Sequence, residues 1–479
     1  MRALIRAIAL LLAPAALAAQ ISPAEYAARR DTLAAHLGDG VVVAFGAVSP
    51  TEVARQSQLP AFGWLTGVRE HDAALLLVLH GGRAAGTLFT QPRDPRRVLY
   101  DGFPPDSSAL ARATGLGVRS ISALPPMLDS LAARGDTVYT LRDYAGEDYA
   151  DTDTLTRGAV FMGAFAQAHP RATVRDAHPT VDSLRARKSP AELALLRRAI
   201  DVTVAAQREA MRTVRPGLFE YQIEALFSAA FRRSGGDGPA FGSIIGSGPN
   251  STQYHYEANQ RQMRAGDVLV MDVGAGWDGY AADVTRTVPV SGRFTADQRA
   301  IYQIVRDAQR AAERVAAPGA SYEAWRDSAR AVIARAVARL GLTEGVDATF
   351  DPPWADQCRQ EAVRCTQAFL YMAHGLGHGI GLEVHDPPHP WKDAGRFAPG
   401  EVFTIEPGVY VSTRLLDMLP DTPKNRAMIA KVRPAVQRYN GIGVRIEDDY
   451  AITGTGVEWL SRAPREPAEV ESAMAQRGR

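Results

Sequence analysis

Apolar positions follow two regimes along the 479 residues. Up to about residue 165, short apolar runs alternate with helical spacing. Residues 24–37 read as a helix, Val41-Val42-Val43-Ala44-Phe45 as a strand, and 73–79 with 84–89 as a hairpin across His80-Gly81-Gly82. This alternation predicts a compact α/β domain. Thr180 to Ser189 reads as a connecting helix or linker. Ser189 then offers an N-cap, Pro190 the first helical position and Glu192 the reciprocal cap, and the spacing through Ala206 predicts a long helix. After Arg215-Pro216-Gly217, 221–231 forms a second amphipathic pattern. From Gly242 to Glu447 short strands and glycine turns dominate, with helices expected at 296–315 and 321–340. The expected division is a leader at 1–19, an N-terminal domain at 20–175, a linker at 176–188, a second domain at 189–460 and a frayed tail at 461–479.

Composition narrows the class without deciding it. With 46% apolar and 22% charged residues the chain can bury one large core and one smaller. A net charge of +1, from 54 basic and 53 acidic residues, gives no electrostatic reason to expect a nucleic-acid partner. At the start, Arg2 and Arg6 precede the apolar run Ala7 to Leu12, and Ala16-x-Ala18 offers a cleavage signal, so a secretory leader and an exported, periplasmic or extracellular protein are expected. No later stretch reads as a membrane span. The two cysteines, Cys358 and Cys365, can form a local disulfide in an oxidising compartment, with free buried thiols as the alternative.

The chemistry lies in carboxylates where apolar strands rarely hold them. Asp272 ends the run Val268-Leu269-Val270-Met271, and Asp283 follows across a glycine turn, so a hairpin can bring the two together. His378 lies in HGLGHGIGLEVH, Glu406 in TIEPG and Glu447 in VRIEDD. Carboxylates in apolar segments need a cationic partner. Two divalent ions meet that need: Asp283 and Glu447 are expected to bridge them, Asp272 to complete one, and His378 with Glu406 to complete the other. Such a pair can hold a bridging water as hydroxide, poised to attack an amide carbonyl.

These stretches, with YHYEAN at 254–259, LVMDVGAGWDGYAADVTRTVPVSGRFT at 269–295, YMAHGLGHGIGLEVHD at 371–386, GEVFTIEPGVY at 400–410 and GIGVRIEDDY at 441–450, resemble the pita-bread metallopeptidases of family M24. That family holds aminopeptidase P, prolidase and methionine aminopeptidase. The resemblance implies an α+β fold, duplicated around a strongly curved antiparallel sheet with the metals at its centre. Its five ligands carry over onto Asp272, Asp283, His378, Glu406 and Glu447. It further implies that His374 and His385 position the substrate and stabilise the developing oxyanion, and that His255 lines the pocket mouth. Glu406 would move a proton from the water toward the leaving nitrogen, and Arg445 would orient Glu447 or nearby acidic groups. Manganese is the implied metal; zinc, cobalt or iron also suit such ligands.

WLTGVRE at 64–70 and LFTQPRDP at 88–95 resemble the creatinase-like α/β N-terminal domain of the proline-directed members, although PAFGWLTG matches their usual motif only loosely. The resemblance therefore implies an Xaa-Pro aminopeptidase acting on peptides with proline at position two, as a homodimer or homotetramer. An Xaa-Pro dipeptidase is the second reading: the 409–440 stretch is long, as in prolidases, whereas WKDAGRF at 391–397 lacks their arginine-rich run. A metal-free creatinase-like hydrolase and a noncatalytic binding protein are the readings from other classes.

Overall fold

The computed structural model describes residues 21–47, 58–92, 95–101, 103, 106–141, 157–387 and 395–476. The expected leader at 1–19, the end of the 461–479 tail and part of WKDAGRF lie outside them. By internal contacts the chain divides into two units, Met1–Ala186 and Arg187–Arg479.

The first unit is built on a six-stranded sheet: β1 (Gly40–Phe45), β2 (Ala74–His80), β3 (Arg83–Thr90), β4 (Gly117–Ser120), β5 (Val138–Thr140) and β6 (Val174–Asp176), in the order β4-β3-β2-β1-β5-β6. The β1–β2 and β2–β3 pairs are antiparallel, and the outer pairs are parallel. Val41, Val43, Leu76, Phe89 and Leu128 form its core. The helix Pro60–Thr66, which holds Trp64 buried, stops at Gly67 in a left-handed conformation, φ 68°. An added Cβ there would come within 2.5 Å of the Tyr26 ring, so glycine serves both the turn and the packing. The 176–188 segment, expected as a linker with a connecting helix as the other reading of Thr180 to Ser189, contains the helix His178–Arg185, with Val181 and Arg185 buried.

In the second unit the Ser189–Glu192 capping box opens the helix Pro190–Thr213 as the sequence predicts. Helices Glu220–Arg233, Ala296–Val315 and Tyr322–Arg339 follow, close to their expected bounds. The strands form short antiparallel ladders. β8 (Ile244–Ser247), β9 (Val268–Val273) and β12 (Val284–Pro289) make one, in the order β12-β9-β8. β13 (Val402–Ile405), β16 (Asp448–Ile452) and β17 (Val457–Trp459) make another, in the order β13-β16-β17, while β14 (Gly408–Val411) pairs with β15 (Ile442–Arg445). β7 (Gly238–Pro239), β10 (Ala275–Trp277) and β11 (Tyr280–Ala281) complete the set. The ladders meet where Arg445 N donates to Thr287 Oγ1 at 3.1 Å, Thr287 Oγ1 donates to Arg445 O at 2.9 Å, and Glu447 N donates to Thr285 O at 3.1 Å.

Two further features bear on the sequence reading. The 409–440 stretch forms β14 and the helices Thr413–Asp417 and Pro423–Arg438. The expected frayed tail is a correction: its first part holds the helix Pro467–Ala475, with Val470 and Met474 buried in the main core. Burying such side chains stabilises by about 1.5–3 kcal/mol each, enough to hold a charged segment down. Cys358 and Cys365 form a disulfide. Among the described residues no helix is long and apolar enough to cross a membrane.

Candidate metal centre

The ladders stop where the expected ligands begin. Val273 pairs with Val284, and the residue after β9 is Gly274, whose Cβ, if present, would fall 1.7 Å from Ala282 O. This close approach sets Asp283 beside β9. On the other side, Ile405 pairs with Asp448 and Gly408 with Arg445, so Glu406 and Glu447 face each other across the break between two ladders. His378 is brought in by Gly377, where a Cβ would lie 2.1 Å from Thr404 O, and by its own backbone N–H donating to Thr404 Oγ1 at 3.1 Å.

Asp283, His378 and Glu447 form the tight group, each offering one ligand atom within 4.8 Å of the others. His378 Nε2 is 3.5 Å from Asp283 Oδ2, 3.7 Å from Glu447 Oε1 and 3.8 Å from Glu406 Oε1. Its Nδ1 lies 3.0 Å from Gly379 O, which can only accept, so the proton sits there and Nε2 is left to bind. Asp272 stands apart from the tight group, with Oδ2 ion-paired to Arg445. Arg445 therefore holds Asp272 rather than Glu447; it also donates to Tyr410 Oη at 3.0 Å and Tyr254 O at 3.3 Å. Glu447 is held instead by Thr285 Oγ1, which donates to its Oε2 at 2.7 Å.

The donor set fits cations. Asp272 Oδ1, Asp283 Oδ1 and Glu447 Oε1 are buried and have no hydrogen-bond partner among the described residues. Buried unpartnered carboxylate oxygens are costly unless a metal or a proton satisfies them. Burial, then the Glu447 and Asp272 charges, push Asp283 well above the carboxylate range; burial and Glu447 push Glu406 up to about 8. Burial disfavours the imidazolium of His378, but the neighbouring Asp283 and Glu447 outweigh it and raise its pKa. The metal-free cluster thus holds protons that cations would displace.

The other histidines divide by exposure. His374 Nδ1 lies 2.7 Å from Gly375 O and 3.5 Å from Glu406 Oε2, while Nε2 accepts from Tyr410 Oη at 2.9 Å. Burial, then Arg445, lower its pKa to about 3, so it is a neutral ring with both nitrogens engaged. To donate to a substrate it must release Gly375. His385 packs edge-on to His378, ring centroids 4.2 Å apart, and burial of its ring lowers its pKa to about 4 although the residue keeps an exposed edge. His255 is exposed, and its charge bears on both His374 and His385.

Sequence reasoning missed Thr285, Tyr410, Tyr254 and Asp449. Asp449 is fully buried and accepts from Asp283 N at 3.3 Å. Thr285 could have been found, since it lies two residues after Asp283 on the same strand face. Beneath the site Arg286 and Asp448, both fully buried, pair at 2.6 Å, Arg286 Nη1 donates to Glu447 O at 2.7 Å, and Arg465 Nη1 lies 3.1 Å from Asp448 Oδ2.

The profile of metallopeptidase family M24 matches residues 194–454, more than half of the chain and all five carboxylate and histidine positions. The chain belongs to metallopeptidase family M24. Its first unit carries a further match, at 26–139, to the aminopeptidase P N-terminal domain. Among M24 relatives, the Xaa-Pro aminopeptidase of Escherichia coli (strain K12) is 32% identical over 468 residues, 95% of this chain and 98% of that protein. The human Xaa-Pro dipeptidase is 32% identical over 319 residues, 62% of each chain. The proline aminopeptidase P II of Yersinia pestis superposes with a TM-score of 0.77 at 29% identity, covering 95% of this chain and 100% of that one. A zinc-substituted E. coli aminopeptidase P in complex with product gives 0.77 at 31% identity, covering 95% and 99%. Metal dependence and the pita-bread architecture with an α/β N-terminal domain are properties of this M24 member too.

Proposed function

We propose that this protein is an Xaa-Pro aminopeptidase that releases the first residue from peptides with proline at position two. One observation carries the reading: similarity to an Xaa-Pro aminopeptidase runs the length of both chains, 95% and 98%, whereas similarity to the human dipeptidase at the same identity covers 62% of each. The first unit is matched by the aminopeptidase P N-terminal domain, which agrees with the reading.

In this reading Asp272, Asp283, His378, Glu406 and Glu447 hold two divalent ions, with Mn2+ as the metal. When bound, such ions supply Lewis acidity to a carbonyl and acidify water. The chain's own groups do the rest. Glu406 accepts a proton from water and returns it to the leaving nitrogen. His374 and His385 position the peptide and stabilise the developing oxyanion, His374 on release of Gly375 O, and exposed His255 lines the pocket mouth. Proline lacks an N–H and has a fixed φ, so a shaped pocket can select it without a charged partner. Export through the 1–19 leader and assembly as a homodimer or homotetramer belong to the same reading; N-terminal sequencing of the mature protein and sedimentation test them.

A competition assay decides the substrate. With Mn2+ present, an Xaa-Pro-Yaa tripeptide and the Xaa-Pro dipeptide compete, and mass-resolved products are followed. Faster release from the tripeptide is expected, and exclusive dipeptide cleavage would overturn the reading in favour of a dipeptidase. The 409–440 stretch, with its helix Pro423–Arg438, is the feature that favours that second reading.

A further inference from the structure

Two glutamines in different helices each bond the backbone carbonyls beside one pair of the site's carboxylates. Gln207, in helix Pro190–Thr213, and Gln309, in helix Ala296–Val315, are both fully buried. Gln207 Nε2 donates to Met271 O at 3.0 Å and to Val284 O at 2.8 Å. These carbonyls belong to the residue before Asp272 and the residue after Asp283. Gln309 Nε2 donates to Ile405 O at 3.2 Å and Asp448 Oδ2 at 2.9 Å, and lies 3.4 Å from Ile446 O. Ile405 precedes Glu406, and Ile446 precedes Glu447.

The amide orientation follows from chemistry. Peptide oxygens only accept, so the NH2 end must face them. At Gln207 this leaves Oε1 buried with no hydrogen-bond partner among the described residues, a cost that an apolar side chain would avoid. At Gln309 the Oε1 end accepts from Arg306 Nη1 at 3.3 Å. Helix propensity does not explain glutamine here, because leucine is as good a helix former and packs better in a core. What glutamine adds is a pair of donors that ties two strands at a fixed distance, one residue from each ligand.

We infer that Gln207 and Gln309 are positioning residues, which set the separation of Asp272 from Asp283 and of Glu406 from Glu447 and so govern the affinity for divalent ions. The inference rests on the reading of these four carboxylates as ligands. Metal sites tolerate only small errors in ligand placement, and outer partners that fix ligands typically contribute about 10–100-fold to metal affinity.

Mn2+ binding to the unmodified full chain is measured first by titration calorimetry. Gln207→Met and Gln309→Met, near in length and without donors, follow. Each is expected to keep its far-UV circular dichroism, to bind Mn2+ about 10-fold more weakly, and to show a smaller Mn2+-induced rise in Tm. A merely structural glutamine would lower the metal-free Tm but leave the Mn2+-induced rise and the Kd unchanged. That result in both variants would overturn the inference. Should a methionine variant not fold, histidine at that position restores one ring N–H and hence one of the two ties. Several-fold weaker Mn2+ binding is then expected, and unmodified affinity would count against the positioning role. If the unmodified protein bound no Mn2+, the ligand assignment would fail and the inference with it, an outcome distinct from failure of the glutamines alone.

Discussion

Thr285 Oγ1 donates a 2.7 Å hydrogen bond to Glu447 Oε2, joining a strand of one ladder to the carboxylate presented by another. Both residues are buried, so the bond holds Glu447 in one orientation while its other oxygen stays unpartnered. Thr285→Val keeps the shape and removes the donor. The expected outcome is Mn2+ binding weakened by about 10–100-fold, read by calorimetry, with a smaller effect on folding.

Replacing a ligand goes further. Asp283→Ala and Glu447→Ala are each expected to lose bound metal, by elemental analysis, and more than about 100-fold in kcat/KM, beyond the range for outer partners. Full activity in both variants would contradict the site.

Glu406→Gln removes the proposed proton carrier but keeps the shape. A fall in kcat of about 10²–10⁴-fold is expected, the usual range for general acid–base groups, with weaker metal binding as a second effect. His374→Ala and His385→Ala should keep more metal than His378→Ala and still lose catalytic efficiency; unchanged kinetics in both would exclude the roles given to them.

The pKa directions fix a pH dependence for the metal-free protein. Glu406, held at about 8, and His378, raised by Asp283 and Glu447, bind more protons folded than unfolded, so their contribution to stability falls as pH rises through neutrality. His374, at about 3, and His385, at about 4, bind fewer protons folded than unfolded, so theirs is lost on acidification below the ordinary histidine value of about 6.5. Above that value the two neutral histidines no longer contribute, and Asp283 and Asp449, both pushed up first by burial, act in the same direction as Glu406 and His378. Metal-free Tm is expected to fall between about pH 6.5 and 8.5, and Mn2+ to stabilise most at the upper end, where fewer protons must be displaced. Thermal scans in chelator and in Mn2+ test this.

The pair beneath the site carries a stability prediction. Arg286 and Asp448 are fully buried, and although burial disfavours the carboxylate, Arg286 and Arg465 lower its pKa and keep it charged. Asp448→Ala leaves those cations uncompensated and is expected to cost about 3–5 kcal/mol in urea unfolding.

What could be read from the sequence had a local signature. The Ser189–Glu192 cap, the apolar strand ending in Asp272 and the glycines flanking His378 each announce themselves within a few residues. The hydrophobic spacing likewise placed the helices Ala296–Val315 and Tyr322–Arg339. Partners distant in sequence were not legible. Arg445 lies two residues from Glu447 yet pairs with Asp272, because β15 ends and the chain turns between them. Gln207 and Gln309 resemble the solvated face of an amphipathic helix until the strands they tie are in place. The 461–479 segment looked frayed because its charge dominates its composition, while Val470 and Met474, four apart on one helix face, do the anchoring.

That anchoring orders events in time. Helix Pro467–Ala475 packs against helix Pro190–Thr213, helix Ala296–Val315 and β12, and Glu471 accepts from Phe294 N at 3.0 Å. All five ligand positions therefore leave the ribosome before the segment that closes the core around them. Until then the core surface that Val470 and Met474 cover stays exposed. A released chain truncated at residue 460 is expected to be cut more readily by protease within 187–460 than the full chain, which the closing helix protects.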